Sequence, residues 1–400
     1  MALIYWLSRK PARNCGFSHF ITRFYPLDSA QTENWTYFQG LFIFFVFMAG
    51  NSFGKVLKLS SFGESHGPAI GGVLEGFPAG VEIDLDYVQS QLDRRRPGQS
   101  RISTQRKESD TLQVLSGVFE GKSTGMPIAF IIPNDDARSK DYSHLKENYR
   151  PSHADKTYQE KYGHRDYRGG GRSSARETAV RVAAGALAQQ ILPGIQIQAY
   201  VSGVGLEEIP SQKKLDLNTV DDHLTRCPDP ESASRFEAAI LQARKDGDSL
   251  GGVISCRVQG SPSGLGEPVY DRLPAALAHA MLSINATKGF EIGEGFAAAK
   301  MRGSEHNDAY SQSGQRLSNH AGGTEGGIST GEEIFFRVAF KPVATIMRDQ
   351  TGQSTDGEAV NIKGKGRHDP CVVPRAVPIV EAMTALVLAD YYLLNRLSKI

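Results

Sequence analysis

The sequence predicts an α+β fold, a sandwich of largely antiparallel β-sheets with helices packed outside. Three observations carry this. Strand-like and helix-like segments alternate along the chain. Most strand segments lack the continuous apolar runs of a parallel sheet buried on both faces. Several are joined by glycine-rich turns, which fit antiparallel sheets better than a doubly wound fold.

The elements follow in order. "NSFGKVLKLSSFG", from Asn51, begins as a strand. "IDLDYVQSQLDRRRPG" reads as a short helix in which Asp84 is the cap, Leu85, Val88 and Leu92 line one face, and Pro97-Gly98 stop it. Ser174 to Glu177 has the S-x-x-E form of a capping box and leads into a helix marked by Val180, Val182, Ala183, Ala186 and Leu187, which Pro193-Gly194 end. "PESASRFEAAILQARKDGD" is a further helix, ending near Gly247. "GGVISCRVQG" and "EEIFFRVAFKP" alternate with period two, as half-buried strands do. "DRLPAALAHAMLSIN" and the long "PRAVPIVEAMTALVLADYYLLNRL" are helices.

Four hundred residues suffice for a sizeable core, and the formal charge of +1 gives a nucleic-acid role no support from bulk electrostatics. Anion recognition must therefore come from local clusters. Cys15, Cys227, Cys256 and Cys371 are scattered without metal-ligand spacing, which reads as reduced thiols in a cytoplasmic compartment and no metal site. Residues 1–47 differ from the rest. They hold both tryptophans and end in "LFIFFVF", too short to span a bilayer and without the basic lead of a secretory signal. Their arginines and scarce acids allow a plastid transit peptide. The favoured reading is an N-terminal extension, disordered or a start-site artefact, with "MAGNSFGK" at Met48 as the start. Residues 48–400 read as a single catalytic domain.

The chemistry is densest in "GHRDYRGGGRSSARETAVR", with five arginines and three consecutive glycines between Gly163 and Arg181. Its "RSS" precedes a capped helix, where free N–H groups and the positive end of the dipole favour an anion. Gly169 to Gly171 permit close approach, and Arg172 and Arg176 can grip phosphate or carboxylate oxygens. A solvated basic loop and an arginine–glycine RNA contact are the other readings; the glycines and the cap favour a phosphate pocket. His66, on the glycine-bounded turn "FGESHG", and His153, beside Asp155, can exchange protons near neutral pH. Arg95 and Arg101 can converge across Pro97-Gly98, and Arg367, His368 and Asp369 precede the last helix. No Walker A loop, dinucleotide fingerprint, HExxH site or nucleophile elbow is present. The pattern suits a small, multiply anionic substrate with a phosphorylated cofactor.

Taken together, "FGESHG", "DRRRPGQSR", "SGVFEGKSTGMPI", "RPSHADKTYQEKYGHRDYRGGGRSSARET", "PSGLGEPVYDRL", "SINATKGFEIG", "SNHAGGTEGGISTG" and "KGRHDPCVVPRAVPI" resemble the chorismate synthase family, in order, from Met48 to the C-terminus. The resemblance implies elimination of phosphate from 5-enolpyruvylshikimate-3-phosphate to give chorismate, with reduced FMN required but not consumed. It also implies a homotetramer. NADPH serves only indirectly, through a separate flavin reductase. Motif by motif, it implies that His66 protonates the departing phosphate, His153 protonates the flavin and Asp369 relays a proton. Arg95, Arg101 and Arg176 would bind substrate. Arg172, Ser173, Ser174, Asn285, Ala286, Gly326, Lys341, Pro342, Val343, Ala344, Thr345 and Arg367 would contact FMN.

Two departures from the family pattern stand out. Ser152 replaces a glycine before His153, and Val343-Ala344 replace hydroxyl residues, leaving backbone contacts to FMN there. His164 and His320 read as structural. A bifunctional enzyme that reduces its own flavin with NADPH is the alternative, and the insertions usual in such members are not seen.

Overall fold

Asp390, near the end of the chain, holds the segment that opens the first sheet. Its carboxylate accepts from the backbone N–H groups of Lys55, Val56 and Leu57 at 2.9, 2.7 and 2.9 Å. The fold so tied is a computed structural model describing residues 50–104, 108–135, 146–364 and 368–398. From Ser52 onward the chain forms one compact unit.

Its first sheet has the spatial order β1 (Ser52–Phe53), β2 (Lys58–Gly63), β3 (Ala69–Glu75), β7 (Ile128–Pro133) and β4 (Gln113–Val114). The hairpin of β5 (Val118–Phe119) and β6 (Lys122–Ser123) lies between β4 and β7 in sequence. The second sheet runs β10 (Glu207–Glu208), β9 (Gln196–Val204), β11 (Gly252–Gln259), β15 (Ile334–Phe340) and β12 (Thr287–Ile292). Smaller pairings join β8 (Asn148–Tyr149) to β16 (Asp349–Ser354) and β17 (Ala359–Lys363), and β13 (Thr324–Glu325) to β14 (Ile328–Ser329). The strand pairs of both large sheets are antiparallel, with Leu59 opposite Leu74 in the first and Cys256 opposite Phe336 in the second. The expected α+β class with antiparallel sheets is what the chain forms.

The helices are α1 (Leu85–Arg95), α2 (Asp155–Tyr162), α3 (Thr178–Gln189), α4 (Pro230–Lys245), α5 (Leu273–Leu282), α6 (Gly303–His306) and α7 (Val373–Asn395). Their placement corrects one expectation. α3 packs on β3 and β7, α7 packs on β9 and β11, and the two helices pack on each other, so they lie between the sheets and not outside them. The reason is legible in their side chains. Both are apolar nearly all round, and a helix without a polar face belongs in a core. By length and composition α7 could cross a membrane, yet 78% of its apolar stretch is buried within the fold. Each large apolar side chain so buried contributes roughly 1.5–3 kcal/mol.

Close packing sets the helix spacing. A Cβ on Gly185 of α3 would lie 2.4 Å from the Cα of Ala382 on α7. Two local expectations also change. Asp84 caps α1 by accepting from the Tyr87 N–H at 2.8 Å, but Leu85 is exposed and the buried face is Val88, Leu92 and Arg95. Ser174 caps a single 3-10 turn, Ala175–Glu177, ahead of α3. Glu177 bonds Arg181 one turn on, so the capping box does not close.

Candidate active site

One end of the helix layer opens into a cleft of about 360 Å³. It is built from the C-terminal end of α1, the loop before α2, the turns feeding α3, the α5–β12 junction, the segment after β15, and the start of α7. The N-termini of α3 and α7 both border it, which brings the positive ends of two helix dipoles to its edge.

Its floor is ionic. Arg95 and Arg176 both bond the carboxylate of Asp110, and all three side chains are buried. Arg95 Nη2 also donates to the Ala175 carbonyl at 2.9 Å, while Arg176 donates to Asn134 Oδ1 and the Pro133 carbonyl at 2.7 and 2.8 Å. Burial drives Arg95 down to about 10, and the Arg375 and Arg176 charges add to this against the pull of Asp110. It remains a cation at neutral pH. Burial pushes the Asp110 carboxyl up, but the two guanidiniums outweigh it and hold the group below its ordinary value. Two guanidiniums sharing one carboxylate leave a positive charge in excess in a site of low dielectric, where an anion is strongly favoured.

One wall carries His153. Its Nδ1 lies 2.9 Å from Asp155 Oδ1, and Arg150 grips the same carboxylate. Burial pushes the Asp155 carboxyl up, but hydrogen bonds from His153 and Arg150 hold it well below the usual range. Ser152, before it, adopts φ +54°, a left-handed conformation that explains why glycine suits this position. Asp369 faces the cleft from the other side, with Oδ1 accepting from the Thr104 N–H at 2.8 Å and Oδ2 bonded to Arg375.

Ser173, Ser174, Asn285, Ala286 and the run Lys341 to Thr345 complete the lining. Asn285 donates to the Ser173 carbonyl at 2.9 Å, which ties the α5–β12 junction to the turn before α3. Burial, followed by the nearby Lys288 charge, lowers the Lys341 ammonium from its ordinary value, and its Nζ donates to the Ser152 carbonyl at 3.2 Å. Cys371 is no nucleophile here, because burial pushes its thiol up to about 12.

The other residues singled out from the sequence lie elsewhere. His66 is beside the cleft and not in its lining. Its Nδ1 is 3.0 Å from Ser65 Oγ, and its ring packs on the backbone of Gly169. Arg172 reaches away to β2, bonding the Ser61 hydroxyl at 2.6 Å and the Gly63 carbonyl at 3.2 Å. Arg101 is largely exposed and paired with Glu237 at 2.6 Å. Gly326 sits in the β13–β14 turn, away from the lining. Arg367 lies outside the described residues.

The amides expected to greet an anion are in use: Ser173 N–H bonds the Gly170 carbonyl and Ser174 N–H that of Gly171. The five arginines of the segment part ways. Arg176 alone among them lines the cleft, while Arg165, Arg168 and Arg181 pair with Asp155, Asp166 and Glu177. His320 bonds Glu294 at 2.8 Å, as a structural residue does. Sequence reasoning missed Asp110, Arg150 and Arg375. Arg150 and Arg375 stand in segments already singled out, within six residues of His153 and Asp369, but nothing local marks Asp110, whose partners are remote in the chain.

A cleft floored by buried arginines and walled by an imidazole and a carboxylate defines an enzyme suited to a small, multiply anionic molecule. The comparisons narrow this. The sequence profile described as chorismate synthase matches residues 57–393. A chorismate synthase of Christiangramia forsetii is 61% identical over 354 residues, covering 88% of this chain and 100% of that one. One from Flavobacterium psychrophilum is 56% identical over 351 residues, covering 88% and 99%. A crystal structure of chorismate synthase superposes with a TM-score of 0.68 at 35% identity, over 85% of this chain and 93% of its own. The chain belongs to the chorismate synthase family, and it is accordingly a lyase.

Proposed function

We propose that the chain eliminates phosphate from 5-enolpyruvylshikimate-3-phosphate in a 1,4-anti sense and releases chorismate, with reduced FMN bound in the cleft and not consumed. This is the last common step of the shikimate route to aromatic amino acids. The observation that carries the reading is a pair of buried polar atoms in the cleft wall, Arg95 Nε and Asn285 Oδ1, which have no hydrogen-bond partner among the described residues. Buried polar groups are nearly always hydrogen-bonded, so these two mark where ligand atoms belong. One is a cationic donor suited to a phosphate or carboxylate oxygen, and the other an acceptor suited to an N–H or O–H group.

The residues present fit the flavin as well as the substrate. Ser173, Ser174, Asn285, Ala286 and Lys341 to Thr345 would hold FMN, joined by Arg172, Gly326 and Arg367. When bound, the reduced flavin supplies electron density to a reaction whose C–H bond is too weakly acidic for a simple base. Arg95 and Arg176 fix the substrate anions on the cleft floor, and Arg101 meets them from outside it. The burial of both guanidiniums strengthens their hold on the charge that develops as phosphate departs. His66 gives a proton to the leaving phosphate. His153 holds a proton toward the flavin through its free Nε2. Asp369, fixed by the Thr104 N–H and Arg375, passes a proton out of the cleft.

In this reading residues 48–400 are the catalytic domain of a cytoplasmic homotetramer. A separate flavin reductase supplies its reduced FMN at the expense of NADPH, and neither membrane nor nucleic acid takes part. The test is an anaerobic assay with dithionite-reduced FMN and 5-enolpyruvylshikimate-3-phosphate, following chorismate absorbance. Product is expected only with reduced flavin. No product under those conditions overturns the reading.

A further inference from the structure

One ring nitrogen of His153 meets two opposite charges. Asp155 Oδ1 lies 2.9 Å from Nδ1, and Arg150 Nη2 lies 3.1 Å from the same atom. Arg150 is locked onto Asp155 through Nε to Oδ2 at 2.8 Å, Nη2 to Oδ1 at 2.9 Å and its backbone N–H to Oδ2 at 3.2 Å. Nε2 of His153 has no protein partner among the described residues, and the side chain lines the cleft.

A neutral imidazole can satisfy only one of the two neighbours. Either Nδ1–H donates to Asp155, or a bare Nδ1 accepts from Arg150. In the first case Asp155 Oδ1 keeps both its donors, and Arg150 Nη2 still has that oxygen. In the second, Oδ1 loses the imidazole N–H and Nη2 must divide itself between two acceptors. The first arrangement keeps more of the charge-assisted bonds, and it is also the one compatible with a protonated ring.

We propose that Asp155 is a positioning residue that holds His153 in its Nδ1–H form, so that Nε2 is the atom exchanging a proton with the bound ligand, and that Arg150 opposes protonation of the ring. The use of that proton rests on the proposed function; the arrangement itself does not. Other charges face the histidine. Arg165 Nη1 is 3.8 Å from Asp155 Oδ1, and Lys341 Nζ bonds the Ser152 carbonyl. Arg95, Arg176, Glu108, His368, Asp369 and Arg375 border the same cleft. All of these are unchanged between the variants below, so they cancel in the comparison.

The test is ¹⁵N NMR of the full chain labelled at histidine, with the His153 signal assigned by its loss in His153→Gln. The unaltered chain is expected to show the Nδ1–H form when neutral. Asp155→Asn keeps the shape but removes the anion. The His153 midpoint should fall by about one pH unit or more and the proton should move to Nε2. Arg150→Gln should move the midpoint by a similar amount in the opposite direction. If Asp155→Asn does not fold, Arg150→Gln decides alone. A tautomer and midpoint unchanged in every variant that folds overturn the proposal. Turnover separates this from the proposed function: active His153→Gln with the shifts present removes the catalytic role and leaves the clamp, and inactive His153→Gln with no shifts does the reverse.

Discussion

The Arg95 guanidinium sits 2.7 Å from Asp110 Oδ2, with both side chains cut off from solvent. Arg176 takes the other oxygen of the same carboxylate, so the pair is held in place before any ligand arrives. Arg95→Lys keeps the charge, but a single ammonium cannot span Asp110, the Ala175 carbonyl and a ligand oxygen as the planar fork does. We expect KM for the phosphorylated substrate to rise about 10-fold or more, equivalent to about 1.4 kcal/mol, with a smaller change in kcat. Steady-state kinetics decides this, and an unchanged KM removes Arg95 from substrate binding.

His66 owes its position to a missing side chain. A Cβ on Gly169 would stand 2.0 Å from His66 Nδ1, so the imidazole packs directly on backbone. Gly169→Ala should displace the ring while leaving its chemistry intact. If His66 is the general acid for phosphate departure, both Gly169→Ala and His66→Ala should lose activity, the latter by roughly 10²-fold or more. Melting curves would show whether the alanine variants remain folded. Full activity in folded Gly169→Ala means the placement of this imidazole is immaterial.

These two sites also show what the sequence could disclose. His66, His153, Asp369 and the arginines stood out because rare chemistry sat in glycine-rich, locally patterned segments. The alternation of β15 and the Asp84 cap were likewise local signals, and they hold in the fold, whereas β11, paired on both sides, buries Ile254, Ser255 and Cys256 in a row. The sandwiching of α3 and α7 was hidden because it depends on two helices nearly 200 residues apart packing on each other through Gly185 and Ala382. Asp110 was hidden for the same reason, since its role comes from Arg95 and Arg176 and not from its neighbours. The bonds of Arg172 were hidden too, since an arginine beside a glycine run carries no local sign that its guanidinium meets the carbonyls of β2.

Acid should unfold the chain through a few identifiable carboxylates. Asp110 and Asp155 are held below their ordinary values as described. Asp229 is brought down to about 2, because bonds from Lys213 and Ser232 outweigh the upward push of burial. A carboxylate whose folded pKa lies below the unfolded value of about 3.9 stabilises the fold above that value. This contribution is present at neutral pH and is lost as pH falls below about 4 toward 2. Urea melts should give level stability above pH ~5 and a steep decline beneath pH ~4. Asp229→Asn should be less stable at neutral pH and show a shallower decline. Equal stability at pH ~5 and pH ~3 contradicts the assignment.

The N-terminal boundary can be tested through Asp390. Its two oxygens receive the amides of Lys55, Val56 and Leu57, and the side chain is buried at the far end of α7. Asp390→Asn replaces one acceptor oxygen with an NH₂ group that faces an N–H instead of receiving it. The cost should be about 2–4 kcal/mol, because a buried donor is left unpaired and a charge-assisted bond is lost. Residues 1–47 precede this anchor, and among the described residues the lining of the cleft comes from Arg95 onward. Their deletion should therefore leave both the melting temperature and the turnover number unchanged, whereas Asp390→Asn lowers the first. If the deletion lowers either quantity, residues 1–47 are part of the working enzyme, and the catalytic domain begins well before Met48.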